Sequence, residues 1–173
     1  KAAEVLAGAA APFVKDMAAM VDAFLPAPMF ALIRFGQWDR VLALGKPDER
    51  LLASTALWHW GRAVAYRTKG RESEARRESK MFEAARAKVP AEWAWINNKA
   101  SDILEIATHT LQARLSTTDA ASIPHWRRAV EIEGRLTYDE PPPWFYPSRE
   151  SLGGALLRAG QAAEAETVFR EGV

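Results

Sequence analysis

The 173-residue sequence contains no cysteine, which excludes a disulfide framework, thiolate zinc sites and a cysteine nucleophile together. It also lacks an excess of either charge, with 23 basic residues against 22 acidic ones. A nucleic-acid-binding domain usually carries a marked basic surplus, so the balance argues against nucleic acid as a partner. Strand signals are scarce: the β-branched residues are scattered, and no clear stretch alternates apolar with polar positions. No uninterrupted apolar run reaches the roughly 18 residues of a membrane span. The most apolar opening, Val5 to Phe13, is short, Ala-rich and closed by Lys15 and Asp16. Signatures of catalysis are missing as well. There is no Gly-x-Ser-x-Gly elbow, no phosphate-cradling glycine loop and no dinucleotide fingerprint. His59, His109 and His125 are never four apart, so no helix face presents two ligands; His109 and His125 fall on the two helices of one repeat, where Asp102 or Glu105 would be the acidic candidates for a further ligand. The expectation is a chain that is not an enzyme, with no cofactor and no bound metal.

Apolar residues make up 49% of the sequence, enough to bury a continuous core. Their period is helical throughout, and proline punctuates it at Pro26, Pro28, Pro47, Pro90, Pro124 and the run from Pro141 to Pro147. Between these marks the pattern predicts helices near 2–24, 27–35, 37–45, 49–69, 72–88, 92–115, 119–137, 147–159 and 162–173, with Asp48 and Ser148 as N-caps. The ten charges between Arg71 and Lys88 read as an exposed outer face.

An internal repeat underlies this period. In the last segment Gly153 precedes Leu156 and the turn residue Gly160, and Ala165 and Phe169 follow. Small residues let two helices approach, large ones fill the space beside them, and glycine supplies a left-handed turn. The same frame fits Ala63, Tyr66, Gly70 and Ala75, continued by Phe82 and Ala85, and a shorter version fits Leu32, Gly36, Trp38 and Val41. Gly36 and Gly70 stand 34 residues apart. A weaker third unit runs through Ala113, Thr117, Trp126 and Ala129, spaced by 47 residues from Gly70 and 43 from Gly160. These residues resemble the tetratricopeptide repeat family, whose period is 34. The runs Pro28–Trp38, Ala56–Ala63 and Tyr138–Pro147 look like the C-terminal part of a group of large bacterial tetratricopeptide proteins without an established activity, in which the proline-rich run joins two repeats.

The resemblance implies an all-α, right-handed superhelical solenoid of antiparallel helix pairs. Residues 1–26 would be a helix continuing from upstream repeats. Residues 27–173 would form about four pairs, with insertions at 89–101 and 136–147. Both ends, Lys1 and Val173, read as cuts, and a chain without thiols suits cytoplasm and periplasm alike. The implied role is a non-catalytic scaffold that binds a protein or peptide. The alternatives are a scaffold segment of a larger enzyme or metal-binding protein, and a self-associating homo-oligomer. In the family frame the first helix of each pair lines the concave side, which places Arg34, Trp60, Arg67, Arg114, Glu150 and Arg158 there. That set is net basic with one aromatic and suits an acidic peptide or a terminal carboxylate. Trp58 and Trp60, two apart, cannot both be core. The prolines before Trp144, Phe145 and Tyr146 cannot be helical. They make this aromatic elbow either a rigid plug or the rim of a pocket, with Asp139 and Glu140 in an exposed linker.

Overall fold

The computed structural model describes residues 2–140 and 142–172; Lys1, Pro141 of the proline run and Val173, the last residue of the last expected helix, lie outside the described residues. Among the described residues the protein is all-α apart from one small ribbon. Its helices are α1 (Ala2–Ala10), α2 (Val14–Val21), α3 (Ala27–Arg34), α4 (Trp38–Ala43), α5 (Leu52–Thr68), α6 (Glu72–Arg86), α7 (Ala100–Leu115), α8 (Asp119–Glu133), α9 (Ser148–Arg158) and α10 (Ala162–Arg170). The ribbon joins β1 (Ala94–Trp95) to β2 (Asn98–Lys99) antiparallel, with Ala94 opposite Lys99 and Trp95 opposite Asn98.

Three of the helix-to-helix turns repeat one another. Gly36, Gly70 and Gly160 have φ of 64°, 71° and 81°, a left-handed conformation that costs a side chain about 1–2 kcal/mol. In each turn the glycine amide donates to the carbonyl three residues back, on Ile33, Arg67 or Leu157, at 3.1 Å. The next amide reaches five back, to Leu32, Tyr66 or Leu156, at 2.8–2.9 Å. This pair of bonds satisfies carbonyls that the helix end would otherwise leave bare. The residues that follow, Gln37, Arg71 and Gln161, share φ near −82° to −95° and ψ of 57° to 71° and open the next helix alike. Four residues further on, Val41, Ala75 and Ala165 are all buried.

The chain divides into two compact units, residues 1–104 with 137–145 and residues 105–136 with 146–173; the boundary falls inside α7. In the second, Ile123 and Trp126 of α8 pack with Leu152 and Leu156 of α9 and with Ala165 and Val168 of α10. Gly153 is needed there, since a Cβ on it would lie 2.5 Å from the Phe169 ring. In the first unit Gly61 of α5 makes room for Met29 of α3 in the same way, at 2.5 Å from its sulfur.

The boundaries depart from expectation where proline or a hydrogen bond from afar intervenes. The helix expected over 2–24 is broken by a 3-10 turn at Ala11–Phe13, where Pro12 removes an amide donor, by a non-helical Met17 and by a second 3-10 turn at Asp22–Phe24. The segment Ala2–Arg34 is still apolar and long enough by composition to cross a membrane, with a mean hydropathy of 1.5 and 33% of that window buried, which is weak evidence for a span. The helix expected from 92 begins at Ala100, because β1 and β2 occupy its first turns. Helix α8 ends at Glu133 and carries Pro124 within it rather than at an edge. Neither expected N-cap acts as one. Asp48 accepts from Arg50 instead, at 3.0 Å from its amide. Ser148 is the first residue of α9 and donates its amide to Glu133 at 2.8 Å.

Candidate functional site

The amino end of α5 is capped from another part of the chain. The carboxylate of Asp22 accepts from the amides of Ala53 and Ser54, the second and third residues of α5, at 2.8 and 2.9 Å. Those are the donors that a local N-cap side chain would satisfy. Ser54 Oγ donates to the Asp22 carbonyl at 3.0 Å and Trp93 Nε1 to its carboxylate at 3.0 Å. Asp22 is 0% exposed, and burial raises its pKa against the pull of these hydrogen bonds. Trp93 is thereby anchored, and with it the start of the first insertion.

A second buried acid ties that insertion to the other one. Asp139, 2% exposed, accepts from the Asn97 amide at 3.4 Å, from the Asn97 side chain, and from Asn98 Nδ2 at 2.8 Å. Asn98 completes the clasp by accepting from the Thr137 amide at 2.8 Å and donating to the Thr137 carbonyl at 3.0 Å. Trp95 Nε1 donates to the Pro143 carbonyl at 3.2 Å. So Asp139 is no exposed linker residue: three donors hold it. Between β1 and β2, Ile96 is driven to φ 55°, a costly region for a β-branched residue, and its side chain stays on the surface.

Aromatic rings form the floor below the clasp. Phe145 stacks on Phe30 with centroids 4.5 Å apart and planes 8° from parallel. Trp144 meets Trp60 edge-on at 5.4 Å and Phe30 at 5.7 Å. Such pairs add about 0.5–1.5 kcal/mol each to the apolar burial. Trp60, expected on an accessible face, is 1% exposed and belongs to this core; Trp58 is the half-buried member of the pair. Trp144 is 4% exposed.

Above this floor lies a cavity of 240 Å³, walled by Phe24, Phe30, Ile96, Pro143 and Phe145, with Arg34 at its edge. Its lining is apolar apart from that guanidinium. The volume falls below the roughly 300–1,000 Å³ of drug-sized sites and suits one apolar side chain with a carboxylate beside it. Of the residues expected in the groove, Arg34 and Phe145 line this cavity together, and Trp60 and Trp144 support it from behind. Arg67 lies elsewhere in the first unit, paired with Glu72. The other four belong to the second unit. There Arg114 is half-buried with its guanidinium 5.6 Å from the Trp126 ring centre, and burial lowers its pKa. Tyr146 is half-buried, Glu150 is exposed, and Arg158 binds Asp119 at 2.9 Å.

A third buried carboxylate stiffens the α5–α6 pair. Glu78 faces inward, against the exposed reading of α6, and bonds His59 Nδ1 at 2.7 Å and Arg62 Nε at 2.9 Å. Arg62 also donates to the Leu42 carbonyl at 3.0 Å and lies 4.6 Å from the Trp58 ring centre. His109 and His125 do approach, with ring centroids 5.9 Å apart. Glu105, 4.0 Å from His109, is bound by Arg128 at 2.9 Å. No group of three or more metal-ligating side chains occurs among the described residues.

Sequence reasoning missed Asp22, Ile96 and Asp139. Asn97, which tolerates a left-handed backbone, was the available hint of a two-residue hairpin loop between aromatic and polar neighbours. Comparison with family models, with curated proteins and with solved structures yields no match to this chain.

Proposed function

We propose that the protein is a tetratricopeptide-like scaffold, non-catalytic, that binds a peptide by one apolar side chain and an adjacent carboxylate in the Arg34–Phe145 cavity. Three glycine turns of the same hydrogen-bond pattern, each joining the two helices of a pair, support the family reading. A right-handed solenoid is the architecture that such pairs build when stacked. The cavity itself carries the functional reading. Neither the ribbon around Ile96 nor the segment from Thr137 to Phe145 is required by a helical repeat, yet a buried acid locks the two together and they enclose apolar space. Rigid walls lower the ordering cost of capture, because Pro142 and Pro143 and the strained ribbon lose little freedom when a ligand arrives.

The test is selection from a library of peptides with free carboxyl ends, followed by titration of the best binder by calorimetry. Arg34→Glu should weaken it tenfold or more by placing like charges together. Ile96→Asp should do the same by making the wall polar. Affinities that neither substitution changes would remove the reading.

A further inference from the structure

A second cleft in the first unit, on another side of α3, has the size and donor inventory of a small-molecule site. Its volume is 470 Å³, within the roughly 300–1,000 Å³ typical of such sites. Pro12, Pro26, Pro28 and Pro47 all line it. Proline carries no amide donor, so these walls are stiff and offer few hydrogen bonds. The rest of the floor is largely apolar, with Val14, Leu25, Met29, Leu51 and the Trp58 ring.

The polar groups at this cleft are already assigned, with one exception. The Trp58 indole N–H is spent on the Leu44 carbonyl at 3.0 Å, and the Ser54 hydroxyl on the Asp22 carbonyl at 3.0 Å. Asp48 is engaged by Arg50 through bonds of 2.8 and 2.7 Å, which hold its carboxyl well below the usual range. That pair nearly neutralises itself. Lys15 remains at the mouth, exposed, with no ion-pair partner among the described residues. An occupant must therefore be apolar along its body and anionic at the mouth. We infer that this cleft binds a medium-chain carboxylate, its chain against the proline and aliphatic walls and its carboxylate at Lys15. The assignment stands apart from the peptide cavity and does not depend on it.

Decanoate below its micellar concentration is the probe, titrated by calorimetry against the whole chain, with decanol and decyltrimethylammonium as controls. Decanoate should bind at least tenfold more tightly than either control, since only it complements the cation. Lys15→Glu should weaken decanoate at least tenfold while leaving the melting curve in place. Gly45→Trp should abolish binding, because a Cβ at Gly45 meets nothing within 4 Å and an indole there would close the mouth. Absence of decanoate binding, equal affinity for the three probes, or an affinity indifferent to Lys15→Glu would each overturn the assignment.

Discussion

The α9–α10 hairpin and the two insertions are held together by different physics. In the α9–α10 pair the contact is apolar, from Gly153 against Phe169 and from Ala165 and Val168 against Leu152 and Leu156, and its charged pairs lie outside. Around the insertions, buried carboxylates do the joining: Asp22 holds Trp93, and Asp139 holds Asn97 and Asn98. An apolar contact is nondirectional and tolerates small shifts. A buried acid is costly unless every oxygen is satisfied, so it fixes one geometry and penalises others. Segments without helical hydrogen bonds need that specificity; the α9–α10 pair does without it, and the α5–α6 pair adds one buried acid, Glu78, to its apolar contact.

Four substitutions sharpen the contrast. Trp144→Ala should be the most damaging, by about 3–5 kcal/mol in urea unfolding, because it empties the aromatic floor beneath the insertions. Asp22→Ala should cost about 3 kcal/mol, leaving two helix amides and the Trp93 indole without their acceptor. A drop in Trp93 anchoring should accompany it, visible as faster hydrogen exchange near residues 93–99. Gly153→Val should cost about 1–3 kcal/mol in the same assay, by driving a branched side chain into Phe169. Gly160→Ala should cost the least, about 1–2 kcal/mol, for holding a Cβ in the left-handed region. If Asp22→Ala proved milder than Gly160→Ala, buried acids would not be what secures the insertions.

What the sequence reveals follows the same division. The turns at Gly36, Gly70 and Gly160 are local events, and the residues that decide them lie within six positions, so the repeat frame locates them. The close contact at Gly153 is legible for the same reason. The clasp is not local: Asp22 caps a helix 31 residues away and Asp139 reaches Asn97 across 42. No period marks an acid whose partners lie so far along the chain, and Asp139 among prolines reads as exposed. Helical spacing shows that Trp58 and Trp60 cannot both be core. Which of them is buried depends on Trp144, far downstream. Glu78 is hidden similarly, since a charge-rich helix gives no sign that one glutamate meets His59 and Arg62 inside.

Hydrogen exchange of the whole chain with and without its best-binding peptide bears most directly on the insertions as the walls of a recognition cavity. Bound peptide should slow the amides of residues 95–98 and the last turn of α3, leaving α9 and α10 unchanged. Slowed exchange confined to other helices, with 95–98 untouched at saturation, would contradict it.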